Sequence, residues 1–331
     1  MTAQKELLIL FTCGLLLASG LYVQKTRGEK SDGEVGVTAR EVSATSTIFF
    51  TGDVMLSRDV ARQMTLHDDF LFPFRLIAST TRAADLTIGN LEGPISDRGI
   101  NQGSIYSFRD DPRVVAGLSF AGFDAMVLAN NHIADWGRVA LSDTVSILNN
   151  GGIRTIGAGR NEEEANNAFI VDIKGTKVAI VAYTNLYPNS FSAYGSTPGI
   201  SHSSEEVMTT TVRGLRAKAD VIVVAMHWGE EYETRSNAYQ ERIGRMLIDA
   251  GADLVVGTHP HVVQEIERYK NGWIAYSLGN FVFDQNFSDE VRNGIIVRLT
   301  IGDRHILAID EIPISINSYY QPQIDIKKIP A

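Results

Sequence analysis

The chain has 331 residues, 44% of them hydrophobic and 21% charged, with no fixed period, so a folded globular body is expected and repeat, collagen-like and low-complexity chains are excluded. A formal net charge of −9 without a Lys/Arg stripe argues against nucleic acid as a partner, and an anionic substrate would need a local cation to offset the repulsion. The single cysteine, Cys13, excludes a disulfide and a thiolate metal site in the folded part.

The first element in chain order is "LLILFTCGLLLASGLYV", Leu7 to Val23, 17 residues without a charge. That length stands at the lower limit for a membrane span, and "ASG" (Ala18 to Gly20) also fits the small-x-small cleavage site of a signal peptide. Residues 1–24 are therefore read as a signal peptide or an N-terminal membrane anchor. Lys25, Arg27 and Lys30 count toward a cytoplasmic body by the positive-inside rule. The short, N-terminal, signal-like run favours export instead, with the body on the extracytoplasmic face of the cell membrane, or secreted if cleaved near Gly20. Residues 25–46 are polar, lack apolar periodicity and read as a linker.

The body, residues 47–316, opens on "TIFFTGD", a strand ending in a Gly-Asp turn. "DLTIGN" and "DAMVLANN" read as further strands, the second preceded by a helix near Pro112 to Ala121. "WGRVALSDTVSILNNGG" places Leu141, Val145 and Leu148 at helical spacing and stops on Asn-Asn-Gly-Gly. "TKVAIVAYTN" and "ADVIVVAMHWG" are buried-strand runs, separated by a helix that opens on a capping box from Ser203 to Glu206. "ERIGRMLIDAGADLVVGTHPH" repeats the order helix, Gly stop, strand. The runs "VVQEIERY", "GWIAYSLGN", "NGIIVRLTIG" and "RHILAIDEIPISI" read as consecutive strands of a meander. Residues 317–331 read as a loose tail. The expected class is α/β, with helices on the outer faces and sheets stacked inside.

Polar clusters end the buried strands: "TGD", "GNLE", "ANNH", "AMHWGEE" and "GTHPH". In α/β sheets the carboxyl edge is where ligands bind. Singly, each cluster has an ordinary explanation: Asp53 as a helix cap, Glu92 as an exposed loop residue, Asn131 as a turn stabiliser, His227 as a lone strand-end histidine, His259 and His261 as parts of a turn. Together, five such ends point to one site. In an extended backbone His259 and His261 would project to the same side, with Pro260 stiffening them. Carboxylate, imidazole and amide-oxygen donors suit one or two divalent ions of Mn, Fe or Zn, whereas Ca would call for more oxygens and structural zinc for thiolates. A carboxylate shared by two ions would hold them about 4 Å apart, able to activate a water during phosphoryl or acyl transfer. Glu231 reads either as an acceptor that orients His227 or as part of a solvated acidic loop. Trp136 and Trp228 read as site walls or core, and Asn280 with Asp284 as a loop facing the crevice.

The ordered motifs "FTGDVMLSR", "GNLEGPIS", "ANNHIADWG", "AMHWGEEY", "GTHPHVVQ" and "YSLGNFVFD" together resemble the CapA family, which is associated with capsular poly-γ-glutamate synthesis. The resemblance covers Ile48 to Ile316, and the family resembles a branch of the calcineurin-like metallophosphoesterases. It implies a four-layer sandwich, two stacked mixed β-sheets flanked by helices. It also implies that Asp53, Glu92, Asn131, His227, His259 and His261 are metal ligands and that His132 protonates the leaving group. Two departures stand out: Met55 occupies the histidine position of the superfamily's Asp-x-His, and Ile133 stands where an acid usually follows the Asn-His pair. Two functional classes remain open. One is a metal-dependent hydrolase or transferase acting on an anionic polymer, a phosphate ester or another cell-envelope substrate. The other is a non-catalytic envelope protein that binds poly-γ-glutamate or assists its export beside a membrane synthase.

Overall fold

The long strands carry apolar side chains on both faces, which forces them between two layers. The computed structural model describes residues 45–328, so the apolar run of residues 7–23, residues 25–44 of the linker and the last three residues lie outside the described residues. Strand β1 (Ser46–Val54) turns Ile48 and Phe50 toward one apolar cluster and Phe49 toward another. Helices α1 (Arg58–Leu66) and α2 (Ala78–Thr81) lead to β2 (Leu86–Leu91), and α3 (Val115–Ala121) leads to β3 (Ala125–Val127). Helix α4 (Gly137–Asn150) then leads to β4 (Arg154–Ile156), and β1, β2, β3 and β4 pair in parallel in that order.

A short β5 (Ala158–Gly159) and helix α5 (Glu162–Asn166) precede the second sheet. There β6 (Phe169–Ile173) pairs antiparallel with β7 (Thr176–Thr184), and β8 (Gly199–Ile200) returns to pair with β5. After α6 (Glu205–Leu215) comes β9 (Val221–His227), and after α7 (Ala238–Ala250) comes β10 (Leu254–Thr258). β7, β9 and β10 run parallel, so their carboxyl ends share one edge. Strands β11 (Ile266–Tyr269) and β12 (Gly272–Ala275) complete this sheet. The chain then crosses back to the first sheet, where β13 (Asn280–Val282) runs parallel to the end of β1. β14 (Asn293–Gly302), β15 (His305–Ile316) and β16 (Pro322–Ile324) extend that sheet antiparallel from β1.

Four layers result. Ile48, Phe50, Ile88, Ile180, Val223 and Val256 meet in the cluster between the sheets. Phe49, Val60, Leu118, Leu141 and Val145 pack the first sheet against α1, α3 and α4. Val181, Val212, Val224, Ile243 and Leu247 pack the second against α6 and α7. This is the sandwich that the resemblance implies.

Three expectations are corrected. The four C-terminal runs do not form one meander: β11 and β12 join the second sheet and β13 to β15 the first, because an apolar run specifies burial but not which sheet it joins. The segment from residue 317 is not loose as far as residue 324: β16 pairs with β15, Tyr320 and Gln321 are buried, and Gln321 Nε2 donates to the Phe72 carbonyl at 2.7 Å. Helix α6 is capped by Ser204, whose hydroxyl accepts from the Val207 N–H at 3.2 Å, so the capping box from Ser203 is absent. Among the described residues no helix is long and apolar enough to cross a membrane.

Candidate metal centre

The five polar strand ends converge where the carboxyl edges of the two sheets face each other. Asp53 ends β1, Glu92 follows β2, and Asn131 with His132 lies in the loop after β3; from the other sheet, His227 ends β9 and His259 with His261 follows β10. Asp53, Glu92, His227 and His261 are fully or almost fully buried, and His259 nearly so. Two three-donor sets emerge, each with ligand atoms within 4.8 Å of one another: Asp53, Glu92 and His227, then Glu231, His259 and His261.

Each donor is aimed by a specific neighbour. Asp53 Oδ1 accepts from Asn90 Nδ2 at 2.8 Å, and Oδ2 accepts from the His259 backbone N–H at 3.2 Å. His261 Nδ1 sits 2.9 Å from Asn280 Oδ1, which leaves Nε2 facing Glu92 Oε1 at 3.6 Å. Asn280 reaches that place because β13 lies directly against β1: a Cβ on Gly52 would stand 1.9 Å from the Gly279 carbonyl oxygen. His227 Nδ1 meets the Thr258 hydroxyl at 3.0 Å, while Nε2 lies 2.8 Å from Asn131 Oδ1. Fixing Nδ1 in this way aims Nε2 of His261 at Glu92 and Nε2 of His227 at Asn131. Asn131, the weakest ligand type of the set, is thus beside His227 at the edge of the cluster. His132 stands across from Glu92, Nε2 to Oε1 at 3.8 Å, and its Nδ1 is held by Asp135 Oδ2 at 2.8 Å.

The electrostatics leave the cluster unbalanced. Burial drives the Glu92 carboxyl well above the usual carboxylate range, His261 opposing and Asp53 reinforcing that shift. Burial also holds His227 well below the ordinary imidazole value, and it takes His259 down to about 3, with the neighbouring His261 adding to both. For His261 burial again disfavours the cation, but Glu92 and then Asp53 outweigh it and hold the ring up to about 9. Two buried carboxyl groups therefore face one imidazole that is held up and two that burial holds down.

The residues also fit a divalent ion on hydrogen-bonding grounds. Both Glu92 oxygens and His259 Nδ1 are buried without a hydrogen-bond partner among the described residues. Buried acceptors are almost always satisfied, and a bare buried carboxylate is among the costliest exceptions. Divalent ions held by the two donor sets would give both Glu92 and His259 a partner.

Several details differ from the sequence-based expectation. His259 and His261 are not in extended backbone: their φ values are 100° and 60°, because β10 ends at Thr258 and the chain turns there. Glu231 does not orient His227, a task that falls to Thr258; it gathers with His259 and His261. Asp53 caps no helix; the N-cap of α1 is Ser57, which makes no side-chain capping bond. The acid missing after His132 is supplied three residues on by Asp135. Met55 is fully buried in the cluster under α1, α3 and α4, with Sδ accepting from the Ser57 hydroxyl at 3.0 Å, so it lies outside both donor sets. Trp228 is core, its indole N–H donating to the Tyr276 carbonyl at 2.9 Å. Asn90 was not anticipated, although it lies in β2 only two residues before Glu92.

The residues of the site lie within a stretch of the chain that matches a known family. Residues 47–285 match the family described as bacterial capsule synthesis protein PGA_cap. The capsule biosynthesis protein CapA of Bacillus anthracis is 28% identical over 324 residues, 93% of this chain and 75% of that protein. The PGA biosynthesis protein CapA of Bacillus subtilis (strain 168) is 31% identical over 248 residues, 72% of this chain and 63% of that protein. Among solved structures, NAD nucleotidase of Haemophilus influenzae superposes with a TM-score of 0.52 at 13% identity, over 85% of this chain and 60% of that one. A 5'-nucleotidase precursor from Thermus thermophilus superposes with a TM-score of 0.50 at 16% identity, over 85% of this chain and 54% of that one. At these identities the structures show a shared fold and nothing more.

Proposed function

Because this chain belongs to the bacterial capsule synthesis protein family PGA_cap, we propose that it serves capsular poly-γ-glutamate synthesis or export, through a centre that holds one or two divalent ions and acts on an anionic polymer or phosphate ester. The observation that carries this reading is Glu92, a buried carboxylate with both oxygens bare at the meeting point of Asp53, His132 and His261. Mn, Zn and Fe suit the mixed oxygen and nitrogen donors Asp53, Glu92, Asn131, His227, His259 and His261, to which Glu231 adds another carboxylate. When bound, such an ion would polarise the substrate oxygen and lower the pKa of a bound water.

The chain's own residues supply the remainder. His132 Nε2 faces the donor cluster, and Asp135 holds Nδ1, so the ring is oriented to give a proton from Nε2 to a leaving oxygen. Asp135 is itself fixed by the Phe108 N–H at 2.9 Å and the Ser104 hydroxyl at 2.8 Å, which holds it in place against the ring. Residues 1–24, as signal peptide or anchor, would place this body, with its linker, at the extracytoplasmic face beside a membrane synthase.

Metal analysis of the purified chain, joined to hydrolysis of a generic phosphodiester, tests the reading. Bound metal with turnover after Mn²⁺ or Zn²⁺ supplementation is expected; neither metal nor turnover would refute it. Met55 favours a second reading, a non-catalytic accessory that binds the polymer for export, because one imidazole of the superfamily pattern is missing. Intact polymer formation in cells carrying His132→Ala, when deletion of the chain abolishes it, would select that second reading.

A further inference from the structure

A cavity of about 210 Å³ opens beside the donor cluster, over His132, His261 and Glu231. Arg58 is the sole Arg or Lys side chain lining it among the described residues. Its backbone has φ 51°, a left-handed conformation that non-glycine residues rarely adopt and that concentrates at functional sites. The conformation is held from one side by Asp284. That carboxylate accepts from Arg58 Nε at 3.0 Å, from Arg58 Nη2, and from the Asp59 N–H at 3.1 Å.

The pair is asymmetric. The Asp284 side chain is 5% exposed and that of Arg58 35%, so the acid is inside and the base reaches the opening. Nε and Nη2 are taken, while Nη1 has no acceptor among the described residues. The guanidinium carbon lies 5.1 Å from the Phe108 ring centre and 6.0 Å from that of Phe283, two rings that also line the cavity. At the rim, Tyr232 and Phe287 meet edge to face at 5.1 Å, and Phe287 is 64% exposed. An exposed ion pair alone adds little to stability and has no need of a strained backbone. A fork-shaped cation with a free edge, fixed over aromatic walls, suits a planar or tetrahedral anion.

We propose that Arg58 is the anion clamp of this centre, positioned by Asp284, and that the cavity takes a carboxylate or phosphate carried on a short apolar stem. The proposal deepens the functional reading above and rests on it for the neighbouring cation. It answers the difficulty posed by the net charge: the local cation that an anionic substrate requires is partly protein.

The test is calorimetric titration of the full, Mn²⁺-loaded chain with γ-linked tetraglutamate and, separately, with inorganic phosphate. The N-acetylated tetramer with every carboxylate amidated, the terminal γ-carboxylate included, serves as a neutral probe. Arg58→Gln should weaken at least one anion about tenfold or more, since a lost hydrogen bond to a charged group has that size. The anion that weakens identifies the source, carboxylate or phosphate. Asp284→Asn should weaken the same anion less, and the neutral probe should not respond to either substitution. Bound Mn²⁺ should be unchanged in both. If Arg58→Gln does not fold, Arg58→Lys decides in its place, with severalfold weakening expected because a point charge lacks the fork. Wild-type affinity for both anions in the folded variant, or no binding of either anion by the wild type, overturns the clamp. A wild type that takes up no Mn²⁺ refutes the metal reading instead, and the same titrations on the metal-free chain then decide the clamp.

Discussion

Replacing Glu92 by glutamine should leave the metal-free fold nearly as stable and remove most of the stabilisation that a divalent ion confers. The side chain is fully buried, neither oxygen has a partner, and burial raises its pKa, so the metal-free site favours the neutral form. Glutamine keeps that shape and neutrality, and the metal-free difference should stay within about 1 kcal/mol, the net worth of one hydrogen bond. With Mn²⁺ at a hundred times its Kd, the wild type gains about 2.7 kcal/mol. For a domain of this size that raises Tm by roughly 5–10 °C. Glutamine offers a neutral oxygen where a charged one stood, and losing about 2 kcal/mol of contact weakens binding roughly thirtyfold. At the same Mn²⁺ concentration about 0.9 kcal/mol of stabilisation remains, a shift of roughly 2–3 °C. Scanning calorimetry with EDTA and with Mn²⁺ measures both differences. Equal metal-dependent shifts in the two proteins would refute the assignment, as would a metal-free variant melting far below the wild type.

The histidines predict the acid limb of metal-free stability. The folded pKa of His259, about 3, lies below its ordinary 6.5; the unfolded chain therefore takes the proton first, and stability present above pH 6.5 is lost as pH falls toward 3, at about 1.4 kcal/mol per pH unit. Urea melts of His259→Gln between pH 6 and 4 should show a slope shallower by one proton; an unchanged slope would mean the ring is not buried neutral. Asp135→Asn should leave bound metal unchanged and lower phosphodiester turnover by about tenfold to a hundredfold, because His132 Nδ1 loses its charged acceptor; full turnover would remove His132 from the chemistry. Met55→His should not raise metal stoichiometry by mass spectrometry, and should cost about 1–3 kcal/mol for the buried imidazole; an added ion would show that the side chain can turn to the cluster.

Much of the site was legible because buried strands that end in polar residues advertise an edge, and Asp53, Glu92, His227 and His259 all sit at such ends. What escaped has local physical causes. Asn90 lies inside an apolar strand and reads as one polar interruption, yet the parallel register pairs it with Asp53. Asp135 finds His132 through a turn of three residues that no periodicity marks. The pleat rule failed for His259 and His261 because it holds only while the backbone stays extended. Sheet membership after residue 262 was illegible for a different reason: β12 and β13 are both short runs, and β13 is directed to β1 by the close approach of Gly52 to Gly279 and by backbone bonds from Asp53 and Met55 to Gly279 and Val282. The tail hid its anchoring in Tyr320 and Gln321, too few residues to show a pattern.

The donors are divided between the layers by chemical type. The first sheet brings Asp53, Glu92 and Asn131, all oxygen donors, while the second brings His227, His259 and His261, all nitrogen donors, with Glu231 as its one acid. A cation held by Asp53, Glu92 and His227 would bridge the sheets, so its binding energy would act on their packing and not on one loop. The sheets nevertheless have their own apolar interface, from Ile48 and Phe50 across to Val223 and Val256, which needs no ion. That apolar core therefore fixes the strand ends, and with them the acids and imidazoles at ligand distance, with the unpartnered oxygens of Glu92 as the cost. Strain of that kind, tolerated because a large core over-determines it, is how a site stays ready for a ligand that it does not itself contain.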